Sequence, residues 1–120
     1  MDTSIWIGHF RRADRTLSDL LEAGEVLTHP LVVGELACGN LPAREEVLGL
    51  IQQLPAAPSA SDPEALHFID RHRLMGRGIG YIDVHLLAAA ALAEGARLWT
   101  ADARLAAAAS RLFLSYDPAH

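Results

Sequence analysis

Apolar positions recur at helical spacing along much of this chain. Leu17, Leu20 and Leu21 mark one helical face, and Val47, Leu48, Ile51 and Leu54 mark another. Ser61 or Asp62 can cap a further helix, with Pro63 in its first turn, that runs to about His72. The segment Gly76 to Gly80 breaks the chain. A strongly helical stretch then follows from Tyr81 to about Glu94 and stops at Gly95. Strand candidates are short: Glu25 to Thr28, Arg97 to Thr100 and Leu112 to Ser115, each after a helix and a breaker. The stretch Leu54 to Pro63 carries three prolines and reads as a surface loop, with no linker or repeat elsewhere. Strands alternating with helices predict an α/β fold, a short parallel sheet flanked by helices, with ligands at the carboxyl ends of the strands.

Composition narrows the class. A length of 120 residues predicts a single domain over residues 1–120. Hydrophobic residues at 51% and charged residues at 21% exclude intrinsic disorder. The apolar share is above that of an ordinary small domain, which predicts surface hidden against a partner. The longest uncharged apolar run, Val84 to Ala93, is too short for a membrane span, which needs about 18 residues. No secretory series opens the chain, and the lone Cys38 has no internal partner, so a cytoplasmic location is expected.

Net charge is −5, and all ten basic residues are arginine. An acidic total argues against broad electrostatic binding to nucleic acid. It leaves room for a local site in which bound metal ions reverse the sign.

Most acids sit where solvated acids belong, on polar helix faces. Asp2, Glu35, Asp83 and Asp102 do not. Asp2 heads DTSIWI, Glu35 interrupts LVVGELAC, Asp83 lies within IGYIDVHLLAAAAL, and Asp102 follows RLWTA. A carboxylate in apolar surroundings costs desolvation energy unless a cation or hydrogen-bond donors meet it. Each alone can be a helix cap or a buried ion pair. Together, with no matching cation in the same runs, they suit Mg²⁺ or Mn²⁺. Two such ions would orient a water and stabilise a leaving oxygen in phosphodiester hydrolysis.

The segments DTSIWI, GEL at 34–36, GIGYIDVHLLAAA at 78–90 and WTADARL at 99–105 resemble the PIN-domain ribonucleases. More narrowly, the chain is similar to the VapC toxins of bacterial VapBC toxin–antitoxin modules. The resemblance covers nearly the whole chain with the motifs in family order. It implies a metal-dependent endoribonuclease, the toxin of a type II module, cleaving structured tRNA or ribosomal RNA by two-metal hydrolysis. Asp2, Glu35, Asp83 and Asp102 are then the catalytic and metal-binding residues, with Asp102 assisting. Thr3, Ser4 and Thr100 fall where the family has hydroxyls near the metal. The implied partners are a VapB-type antitoxin and RNA, in a homodimer that meets DNA only through the antitoxin and meets no membrane. The family places apolar residues before its first aspartate as a central strand, whereas only Met1 precedes Asp2, so a truncated first strand is expected. Family members often have valine before DTS, where a GTG codon can be read as initiator; if the chain begins at Met1, Asp2 is held by a fraying terminus.

Two basic clusters, Arg11, Arg12 and Arg15 and then Arg71, Arg73 and Arg77, read either as solvated helix ends or as grips for phosphates. Arg73, Arg77 and Tyr81 are the candidate RNA contacts, Tyr81 as a stacking platform. The glycines before Tyr81 follow no clear strand and precede no Gly-Lys-Ser/Thr, which argues against a nucleotide loop. The histidines lack helical zinc spacing, and Trp6 and Trp99 read as core. Two rivals to the nuclease remain: a catalytically impaired antitoxin-binding module, and a Mg²⁺-dependent phosphatase, for which DTS lacks a second aspartate.

Overall fold

The computed structural model describes residues 1–118, and among them are seven helices: α1 (Thr3–Arg11), α2 (Arg15–Glu22), α3 (Pro30–Ala37), α4 (Arg44–Gln52), α5 (Asp62–His72), α6 (Tyr81–Leu92) and α7 (Ala103–Arg111). Asp2, Asp14 and Asp102 accept backbone N–H bonds at the starts of α1, α2 and α7. Ser61 and Glu64 close a reciprocal capping box on α5. His29 caps α3 instead, its Nδ1 accepting from the Leu31 amide at 3.1 Å. The predicted helices over 61–72 and 81–94 are present as α5 and α6.

The core forms around α6. Val84 through Ala90 are all buried there, beside Leu17, Val32, Leu36, Leu98 and Leu105. A helix apolar on every side belongs inside a protein, and its alanines let neighbouring elements approach closely. Trp6 and Trp99 are both buried, as the sequence reading expects.

The expected parallel sheet is the main difference. Among the described residues, β-pairing is confined to two isolated parallel bridges, Thr28 with Ala56 and Leu98 with Ser115. Thr28 donates to Pro55 and accepts from Ala57, and Leu98 donates to Leu114 and accepts from Tyr116. These bonds use one edge of each piece, so the neighbouring residues Leu27 and Arg97 direct their backbone groups to the opposite edges. A cleft of about 440 Å³ lies there, lined by Met1, Val26, Leu27, Ala96, Arg97 and Trp99 among others. The Asp2 amide donates to the Trp99 carbonyl at 3.0 Å, the single strand-like bond made by residues 1–2. Among the described residues, neither pair extends into a continuous ladder.

Two boundaries also move. Residues 54–63 are not wholly a surface loop, because Ala56 pairs with Thr28 and Ala60 is buried. The strand expected over 112–115 narrows to the bridge at Ser115, since α7 continues to Arg111 and Leu112 caps it.

Candidate active site

Residues from opposite ends of the chain meet at the starts of three helices. Asp2 is buried, and its Oδ1 accepts from the Ser4 amide at 3.1 Å and from the Ser4 hydroxyl. Its Oδ2 accepts from the Thr100 hydroxyl. Each hydroxyl is used twice, for Ser4 Oγ accepts from the Ala101 amide and Thr100 Oγ1 from the Asp102 amide, both at 3.0 Å. Thr3 Oγ1 donates to Glu35 Oε1 at 2.9 Å, tying the first turn of α1 to the middle of α3. A network of hydrogen bonds thus connects Asp2, Ser4, Thr100 and Asp102, and the adjacent Thr3 holds Glu35.

Asp83 sits in the first turn of α6 and accepts from the Gly80 amide at 3.1 Å. Its carboxyl is held above its ordinary pKa, first by burial and then by the charges of Asp2, Asp102 and Glu35, against the pull of the Gly80 amide. The four acids singled out in the sequence therefore share one electrostatic neighbourhood. Among the described residues, no arginine forms an ion pair with any of them.

Such a donor set is all oxygen and strongly negative, which suits a hard divalent cation. Among the described residues, no three acid, histidine or cysteine side chains already stand at coordinating positions. The fit therefore rests on the chemistry of the donors and on the repulsion a cation would relieve.

The arginine and tyrosine candidates are less convergent. Arg77 Nε donates to the Arg73 carbonyl at 2.8 Å, closing the turn after α5. The Tyr81 hydroxyl donates to Asp62 Oδ1 at 2.7 Å, and its ring meets His85 edge-on.

Sequence reasoning missed Arg104. Its side chain lies so close over Gly78 that a Cβ there would come within 2.6 Å of its Nη1. The glycine-rich loop is therefore partly a seat for an arginine, a pairing across 26 positions that no local pattern announces.

A family model for the PIN domain matches residues 1–111, and the chain belongs to the PIN-domain family. It is also similar to Ribonuclease VapC32 of Mycobacterium tuberculosis. The proteins of strains CDC 1551 / Oshkosh and ATCC 25618 / H37Rv are each 48% identical over 108 residues, covering 90% of this chain and 87% of theirs. No solved structure matches significantly. The family is α/β in class, which agrees with the helices and the two parallel bridges together.

Proposed function

We propose that the protein is a metal-dependent endoribonuclease, the toxin of a type II toxin–antitoxin pair, acting on structured RNA such as tRNA or ribosomal RNA. The observation that carries this reading is that the charges of Asp2, Glu35 and Asp102 all bear on the half-buried Asp83 carboxyl, while hydroxyls of Ser4 and Thr100 hold Asp2 and that of Thr3 holds Glu35. The name of the 48% identical relative supports the same activity.

Asp2, Glu35, Asp83 and Asp102 would hold Mg²⁺ or Mn²⁺, one ion or two. A divalent cation held there supplies Lewis acidity, acidifying a water and offsetting negative charge on the phosphate. The protein's own part is positional. Ser4 and Thr100 fix the Asp2 carboxylate from both sides, and Thr3 fixes Glu35. In this reading a water is the nucleophile, so no protein side chain need attack. With water attacking phosphorus and the 2′-hydroxyl taking no part, the products carry 5′-phosphate and 3′-hydroxyl ends. Arg73 and Arg77 supply cationic contacts for flanking phosphates.

The partner is a VapB-type antitoxin that also carries any DNA binding, and the toxin itself forms a homodimer. An apolar cavity of about 470 Å³ bordered by Trp6, Phe10, Leu21, Val47 and Leu50 supports burial of a partner's side chains. Among the described residues, no helix is long and apolar enough to cross a membrane.

The test incubates purified protein with total bacterial RNA, in Mn²⁺ or in EDTA, and maps new 5′ ends. Discrete ends that need both the metal and Asp83 are expected. Ends that persist in EDTA or in Asp83→Asn, or no new ends at all, would overturn the assignment.

A further inference from the structure

A second polar constellation lies beside the acids and is not used by the chemistry above. Asp62 opens α5, while Tyr81 and His85 stand one turn apart on α6. Tyr81 donates its hydroxyl proton to Asp62 Oδ1, His85 Nε2 lies 3.4 Å from the same oxygen, and the two rings pack edge to face at 4.7 Å. These groups border a cavity of about 310 Å³ whose other walls include Pro30, Leu31 and Ile82. That is enough for one small planar ligand.

Its place in the fold is informative. His29, Pro30 and Leu31 directly follow the bridged Thr28, and Ser59 and Ala60 follow the bridged Ala56. The cavity therefore sits at the carboxyl ends of two parallel segments, where open α/β folds collect ligands. Leu31 lies one turn of α3 before Glu35, on the same face, and Ile82 directly precedes Asp83. A cavity one helical turn from the carboxylates, roughly 6 Å along the axis, is within reach of a nucleotide adjoining the scissile phosphate.

We propose that this cavity receives an unstacked guanine base of the RNA. The proposal rests on the ribonuclease reading for its substrate but on separate residues for its chemistry. Single-stranded bases are recognised by apolar and aromatic walls plus hydrogen bonds to the Watson–Crick edge. Here the polar rim offers acceptors. Asp62 Oδ1 is occupied, which leaves Oδ2, and Tyr81 Oη keeps its lone pairs after donating its proton. Guanine alone has two adjacent donors on that edge, N1–H and N2–H. Adenine and cytosine each set one donor beside an acceptor, and uracil sets its N3–H between two carbonyls.

A further polar group agrees with the choice. His29 also lines the cavity, its Nδ1 accepts from Leu31, and so its proton is assigned to Nε2, which is buried without a partner among the described residues. Guanine carries the acceptor O6 next to N1–H, the complement of such a donor.

The four 5′-nucleoside monophosphates, titrated into the metal-free protein and followed by chemical-shift changes, test the inference independently of cleavage. GMP is expected to bind about tenfold or more tightly than AMP, CMP or UMP, the discrimination typical of a bidentate base contact. Asp62→Asn should abolish that preference, and Tyr81→Phe should reduce it. Equal binding of the four nucleotides, no binding, or a preference that survives both variants would overturn the inference. If RNA is cleaved while GMP shows no preference, the guanine pocket falls and the nuclease stands. If GMP binds through Asp62 while RNA stays intact, the pocket stands and the nuclease reading falls.

Discussion

Asp83 shows the tension built into the site at the scale of one residue. Its carboxyl is held above its ordinary pKa by burial, then by three neighbouring acids. For an acid, a raised folded-state pKa means that ionisation destabilises the fold above that pKa, and the penalty disappears as pH falls through it. Asparagine keeps an oxygen for the Gly80 amide and removes the charge. Metal-free Asp83→Asn should therefore melt higher than the parent at pH 7, by about 2 °C if half a kcal/mol is relieved. An equal or lower melting temperature by calorimetry would contradict the crowding of charges described here. The four acids were legible in the sequence because each breaks an apolar run. Asp62 was not, because an acid in a helix's first turn is ordinary, and its partners stand 19 and 23 positions away.

Among the elements, α3 has the most consequential start, because it carries Glu35 and is capped by an imidazole. The His29 pKa is lowered from its ordinary 6.5, mainly by burial, with His85 and the N-terminal ammonium contributing. The unfolded chain therefore takes up the proton first. Stability from neutral His29 is complete above about pH 6.5 and is lost as pH falls through the depressed folded-state value. Protonation of Nδ1 would also remove the cap, a contribution of about 1 kcal/mol. Urea unfolding at pH 7.5 and 5.5 should show a loss in the parent that His29→Asn, itself a good cap, largely removes. His72 is shifted in the same direction, mainly by burial, so a residual slope is expected. An unchanged slope in His29→Asn would contradict the assignment. The helices over 61–72 and 81–94 were legible from caps and breakers. The last helix, α7, is not among the predicted elements, although Asp102 is a candidate helix cap and Leu105, Ala108 and Ala109 mark a buried face at helical spacing.

At the scale of the whole molecule, the site is a closure of the chain on itself. A ligand that binds only the folded state stabilises it by mass action, by about 2.7 kcal/mol at a hundredfold excess over its Kd. For a domain of this size that is roughly a 10 °C rise in Tm. Mn²⁺ titrated into the protein should produce a saturable rise. Thr100→Val, which removes one clamp on Asp2, should need about 10–100 times more Mn²⁺ for the same rise. A Tm that does not respond to Mn²⁺ would contradict metal binding altogether. The α/β class was legible from the order of segments. The partners of the short strand candidates were less so, because Thr28 pairs with Ala56 inside a proline-rich stretch that reads as a loop.

The amide of Asp2 is seated on the carbonyl of Trp99, and its carboxylate is clamped by Thr100. Asp2 therefore has no place until residues 99 and 100 have folded against it. Residues 2, 35, 83 and 102 meet only through these long-range contacts, which local helix formation cannot anticipate. A chain with its helices formed but these contacts unmade would carry four scattered carboxylates and no site. Separating residue 2 from residues 99 and 100 would therefore dismantle the site before it dismantles the helices.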